Sequence, residues 1–208
     1  EFKIIISSGT VKTIDLGNNV SMDFVWIPSG TFMLGSPATD SLRDADEGPY
    51  QQMNIDGFWL GKYETTQAQW QAVTGSNPVP STDGGYSLTN PVYKISWDNA
   101  KSFITTLNSK GIGTFRLPYE AEWEYACKGG TATPWYWSSS VDTIEQYCNF
   151  ADVNSTSSVK DSTRDDGYGW GSPPGVFKPN AFGLYDMSGN LFELCEDWYA
   201  SEYTGTLT

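Results

Sequence analysis

Three kinds of residue in this chain could do chemistry. Glu120 and Glu124 stand four apart, a spacing that puts both on one face of a helix, and paired carboxylates are the groups that glycoside hydrolysis uses. Their segment opens after Arg116, Leu117 and Pro118, however. Acids in a first helical turn are accounted for by the positive end of the helix dipole or by a cation such as Arg116, so both carboxylates read as structural. Oxygen donors form the second kind. Residues 149–154 (NFADVN) and the turn Asp165-Asp166-Gly167-Tyr168 each offer a side-chain oxygen and a backbone carbonyl, which suits calcium, although neither has the spacing of an EF-hand loop. The third kind is the thiol. Cys127, Cys148 and Cys195 make an odd count that fits either one disulfide plus a spare thiol or three reduced thiols.

Composition narrows the chemistry further. Histidine is absent from all 208 residues, which removes His general bases, Ser/His and Cys/His nucleophiles, and His-ligated iron, copper or catalytic zinc. Lys and Arg total 12 against 25 Asp and Glu, a formal charge of −13. Such a surface repels phosphate backbones and anionic lipid and favours hard cations, so a nucleic-acid partner is not expected. No run approaches the roughly 20 apolar residues of a transmembrane helix. The sequence begins at Glu1 without Met, so a targeting segment could have been removed. The compartment stays open, with a secreted or surface location slightly favoured, and the sequon at Asn154-Ser155-Thr156 has meaning only in a glycosylating one.

The elements that must position these groups follow from pattern. Residues 20–27 (VSMDFVWI) alternate, Pro28 to Gly30 turn the chain, and 31–34 resume, which predicts a hairpin. Residues 55–60 (IDGFWL) predict a further strand. Thr66 with Gln69 forms a capping box for a helix that runs to Thr74 and stops at Gly75. Ser96 caps a second helix, in which Trp97, Ala100, Phe103, Ile104 and Leu107 recur at helical spacing and Gly111 closes it. A third helix is expected at 119–128 behind Pro118. Aromatics make up 15% of the chain, and beyond residue 130 it reads as ordered loop sealed by large rings such as Trp135, Tyr136 and Trp137.

Taken in order, the segments FMLGS (32–36), DEGP (46–49), KYETTQAQW (62–70), NPVYKISWDNA (90–100), RLPYEAEWEYACKGG (116–130) and NAFGLYDMSGNLFEL (180–194) resemble the formylglycine-generating enzyme, or sulfatase-modifying factor, family. The resemblance runs from about Val25 to Tyr199. It implies a C-type-lectin-like α+β fold with few regular elements, as a single domain over 1–208 that lacks its C-terminal segment. The family serves several ends, among them oxidation of a sulfatase cysteine to formylglycine, iron-dependent sulfoxide synthesis, and ligand display by the variable proteins of diversity-generating retroelements. Its oxidases bind copper(I) through two cysteines that follow an RGGSW-like motif. Cys127, Cys148 and Cys195 match neither position, so copper is not expected in this chain, and without histidine the iron chemistry is not expected either; Gln51 stands where a His is common. Calcium carries over better. One family site corresponds to Asn149, Phe150, Asp166 and Tyr168, a second to Ser188, Gly189, Leu191 and Glu193. Phe192 and Leu194 replace the usual Trp pair, and Tyr119 the usual Thr cap. The resemblance thus favours a calcium-stabilised, non-catalytic scaffold that binds a protein or glycan; the alternative is a formylglycine-generating oxidase seen without its last segment.

Overall fold

The structure is a computed structural model that describes residues 7–41 and 43–200. Five strands and three α-helices come first in the chain, β1 (Val11–Gly17), β2 (Val20–Ile27), β3 (Gly30–Leu34), β4 (Gln51–Ile55), β5 (Phe58–Gly61), α1 (Gln67–Thr74), α2 (Trp97–Ser109) and α3 (Glu120–Lys128). After α3 the only regular element among the described residues is a 3-10 turn at Ile144–Gln146. The arrangement is α+β with a long looped second half, as expected.

Two strand expectations are corrected. Residues 20–27 and 31–34 form no hairpin: β2 lies between β1 and β5 in a three-stranded sheet, while β3 pairs with β4 in a separate two-stranded one. Residues 55–60 are likewise two strand ends, not one strand. The chain breaks at Asp56-Gly57, where a Cβ on Gly57 would collide with the Trp26 ring. β1 was not expected at all. It is joined to β2 by Asn18 and Asn19, both at positive φ (55° and 59°), the geometry of a two-residue primed turn that Asn tolerates.

Burial explains why β2 reads as almost continuously apolar. Val25 and Ile27 face one core with Tyr125 and Ala126 of α3, Leu184 and Met187. Met22 and Phe24 face a second core with Ile14 and Leu16 of β1, Trp70 and Val73 of α1, and Phe103 and Leu107 of α2. A central strand covered on both faces needs apolar side chains on both parities.

The helix starts obey the sequence. Thr66 and Gln69 complete their capping box, and Gly75 ends α1 in the left-handed region at φ 84°. Ser96 accepts from Asn99 N at 3.2 Å, while Asn99 Oδ1 accepts from Ser96 N at 2.9 Å. Replacing Ser96 with Ala should cost about 1 kcal/mol in denaturant unfolding; no loss would mean that α2 is held by its packing alone.

At α3 the first residue is Glu120, and Tyr119 is the N-cap without a side-chain capping bond of its own. Asp197 supplies the missing acceptor, taking the Glu120 N–H at 2.9 Å from 77 positions away. Arg116 makes a two-pronged contact of 2.6 Å and 2.6 Å with Glu122. Glu124 accepts from Gly35 N at 3.0 Å, and Lys128 Nζ reaches Met33 O at 2.8 Å. Glu122 and Glu124 thus fasten this helix to its surroundings.

Candidate functional site

The expected oxygen donors lie on two loops that the fold presses together. Asn180 starts the first by donating to Ala126 O at 2.7 Å and accepting from Phe182 N at 3.0 Å, which hangs the segment from the end of α3. Leu184 is fully buried. The chain then turns sharply, with Asp186, Gly189 and Asn190 all at positive φ (57°, 78° and 60°), a run that Asp, Gly and Asn accommodate better than other residues. Asn190 is the hub of the turn. Its N–H meets Asn149 O at 2.9 Å, its Oδ1 accepts from Ser172 N at 2.9 Å, and its Nδ2 donates to Glu64 Oε2. Leu191 N donates to the other oxygen of Glu64 at 3.0 Å.

The second loop is organised by two aspartates. Asp152 is wholly buried and accepts from Asn154 N and Asp166 N, each at 2.8 Å. Asp166 in turn accepts from Phe150 N at 2.7 Å and Tyr168 N at 2.8 Å. Asn149 spends its amide N–H groups on Trp170 O at 2.6 Å and Asn190 Oδ1 at 3.1 Å, which leaves its amide oxygen as the ligand-capable end.

The electrostatics are one-sided. Glu64 is raised to about 9, first by burial and then by the charges of Glu193 and Asp186. Glu193 is exposed as a residue on the rim of a cleft, and desolvation raises its carboxylate to about 7. Burial also raises Asp186 and Asp166. Asp186 accepts from Gly175 N at 2.6 Å through Oδ2, while its Oδ1 is buried with no hydrogen-bond partner. Among the described residues none of these four acids is in an ion pair.

A sequence profile of the sulfatase-modifying factor enzyme 1-like domain matches residues 15–207. The chain belongs to that family. It is 27% identical over 236 residues to a formylglycine-generating enzyme of Thermomonospora curvata, covering 90% of this chain and 75% of that protein. Against the mouse formylglycine-generating enzyme it is 24% identical, with 86% of this chain and 59% of that protein covered. Among solved structures, PvdO from Pseudomonas aeruginosa superposes with a TM-score of 0.78 at 26% identity, over 97% of this chain and 79% of that one. Treponema denticola variable protein 1 superposes with a TM-score of 0.72 at 25% identity, over 94% and 80%.

Within this sulfatase-modifying-factor domain, the expected residues fall into place unevenly. Asn149, Phe150, Asp166 and Tyr168 converge as one loop junction. Gly189 and Leu191 join them through Asn190, and Glu193 follows on the cleft rim. Ser188 lies beside the Cys127 thiol. Among the described residues no donor bonds the carbonyl oxygens of Phe150, Tyr168, Ser188, Gly189 or Leu191, so these oxygens remain available. No three acidic or thiol side chains among the described residues assemble as a metal group; a cation here would depend on backbone oxygens. Sequence reasoning missed Asp186 and Glu64. Asp186 had a local signal, an acid two residues before Ser188 in a Gly-Asn turn. Glu64 had none.

The cysteines are all free. Cys127 Sγ donates to Met187 O at 2.9 Å, and burial pushes Cys127, Cys148 and Cys195 each up to about 12. Of the two sequence alternatives, three reduced thiols describes this structure.

Proposed function

We propose that this domain is a non-catalytic, calcium-stabilised scaffold of C-type-lectin-like form that presents its surface to a protein or glycan ligand. One observation carries the reading: Asp186 Oδ1 is buried without a hydrogen-bond partner, and Glu64 and Glu193 lie close enough to Asp186 for its charge to raise both. Orphaned buried carboxylate oxygen beside free carbonyls is the donor chemistry of calcium. In this reading Asp186 Oδ1, Glu193 and the carbonyls of Gly189 and Leu191 would hold one ion; Asn149, Asp166 and the carbonyls of Phe150 and Tyr168 would hold the other. The ions would neutralise the acids and stiffen the two loops.

Two further features support the non-catalytic part. Cys148 is buried and Cys127 and Cys195 are half-buried, and desolvation favours the protonated thiol at all three, whereas redox chemistry at cysteine needs accessible thiolate. Exposed aromatics at Trp170 (55%), Phe192 (107%) and Trp198 (83%) offer contact area of the kind that recognition surfaces use. Variable protein 1 of Treponema denticola shares the fold, and its name concerns variability rather than an oxidation. The test is direct. The full-length protein with copper(I), oxygen and a cysteine peptide of sulfatase type should form no aldehyde by mass spectrometry, and on glycan and protein arrays it should retain a ligand. Aldehyde formation overturns the non-catalytic reading, and empty arrays overturn the binding one.

The thiols make a separate prediction. With folded values near 12 against an ordinary 9, the thiolate fraction at pH 8 is about a thousandfold lower than in the unfolded chain. Native protein should therefore react with a disulfide reagent at least that much more slowly than denatured protein. The sign for stability follows. Unfolded thiols lose protons above pH 9 while folded ones keep them, so stability should fall as pH rises from about 9 toward 12. Rapid labelling of one cysteine in native buffer would contradict its placement.

A further inference from the structure

Trp170 is an exposed indole on a fixed backbone. Its carbonyl accepts from Asn149 Nδ2 at 2.6 Å, and it stands between two glycines that meet neighbouring loops. A Cβ on Gly169 would lie 2.9 Å from Asn154 O, and one on Gly171 would lie 3.5 Å from Asn190 Oδ1. The chain on either side of Trp170 is therefore seated on the 149–154 loop and the Gly-Asn turn, while more than half of the residue meets solvent. A ring held this way is ordered before any ligand arrives, which lowers the entropy cost of contact.

Beside it lie a second ring and an ion pair. Trp170 and Tyr93 meet with ring centroids 5.4 Å apart at 43°, and a Cβ on Gly84 would be 3.6 Å from Trp170 Nε1. Gly84 follows Asp83, whose Oδ1 accepts from Gly85 N at 3.1 Å and from the Tyr93 hydroxyl, and whose Oδ2 accepts from Lys94 Nζ. Lys94 and Tyr93 hold Asp83 well below the usual carboxylate range, so the pair stays ionised. The turn is anchored from within, since the buried Gln67 amide donates to Gly85 O at 2.9 Å. A carboxylate has about four acceptor sites and an ammonium has three donors. Among the described residues Asp83 Oδ2 takes one donor and Lys94 Nζ finds one acceptor, so both keep hydrogen-bonding capacity, and the Lys94 side chain is half-exposed.

The ligand that fits is an uncharged pyranose. Its C–H face is apolar and faintly positive, which suits the negative face of an indole. Its hydroxyls both donate and accept, as Asp83 and Lys94 together require. The ion pair carries no net charge with which to hold an anion, and the formal charge of −13 works against an acidic sugar. A cationic ligand would have to displace Lys94 from Asp83. We propose that Trp170, Tyr93, Asp83 and Lys94 form a binding site for a neutral hexopyranose of a glycan. This rests on the reading of the domain as a binding scaffold, and it names the ligand class and the residues that receive it.

NMR titration of the full-length protein with the methyl glycosides of glucose, galactose and mannose tests it. At least one should bind saturably and move the signals of the Trp170 indole and of the Gly84 and Gly85 amides. Trp170→Ala should weaken that binding about tenfold or more, Trp170→Phe should restore part of it, and Trp198→Ala should leave it unchanged. Trp170→Ala removes an exposed side chain, so its spectrum away from the site should match the wild type. Methyl glucuronide should bind more weakly than the best neutral glycoside, and equal or tighter binding overturns the assignment to neutral sugars. Binding by none of the neutral glycosides, or binding that leaves the Trp170 signals still, overturns the site. Either failure leaves the scaffold reading standing if the arrays retain a ligand, whereas empty arrays remove both.

Discussion

Replacing Gly189 with Ala should lower stability by about 2 to 5 kcal/mol. The left-handed backbone at φ 78° costs a residue with Cβ about 1 to 2 kcal/mol. The Cβ itself would intrude on Asn149 O and lie 3.1 Å from Cys148 Cβ, an overpacking that costs typically about 1 to 3 kcal/mol. For a domain of this size the sum corresponds to a melting temperature lower by about 4 to 20 °C. Gly75→Ala is the matched control. Gly75 has the same handedness at φ 84° but nothing within 4 Å of its Cβ position, so only the backbone component, about 1 to 2 kcal/mol, should be lost. Equal losses in the two variants would show that the Gly-Asn turn does not press on the 149–154 loop, and the joined site would go with it.

That contrast also shows where sequence reading succeeds and where it stops. Features set by neighbours along the chain were legible: the capping box of Thr66 and Gln69, the stop at Gly75, and the Ser96 cap all depend on residues within a turn of one another. The Asn18-Asn19 turn is equally local but went unread, and with it β1, whose short alternation buries only Ile14 and Leu16. Pairing partners were not legible. The pattern of 20–27 followed by 31–34 fits a hairpin, but the two strands go to different sheets because β2 is filled on both sides by β1 and β5. Gln67 illustrates the same limit. It is completely buried and ties Gly85 O, Asn77 Nδ2 and Ser87 N together, a role that no pattern around Gln67 announces. At the site, Asn149, Asp166 and Glu193 came from family motifs. Glu64 reaches Leu191 across 127 positions, so only the folded chain reveals that its carboxylate belongs there.

Calcium removal should have the other large effect, and its dependence on sequence separates charge repulsion from simple packing. At calcium one hundredfold above its dissociation constant, an ion bound only by the folded state stabilises it by about 2.7 kcal/mol, equivalent here to about 5 to 11 °C in melting temperature. A chelator should remove that increment from the wild type. Asp166→Asn should shrink the shift by weakening the site at Asn149, and Asp186→Asn should shrink it by weakening the site at the Gly-Asn turn. The metal-free behaviour of Asp186→Asn is the sharper part of the test. Asn keeps the shape and the acceptor for Gly175 N, but it removes the charge that raises both Glu64 and Glu193. In chelator this variant should therefore melt no lower than wild type, and in calcium it should melt lower. A wild type indifferent to chelator sinks the calcium assignment. A variant less stable than wild type in both conditions would mean that Asp186 serves the fold through Gly175 alone, with the charge on its second oxygen already compensated by the protein.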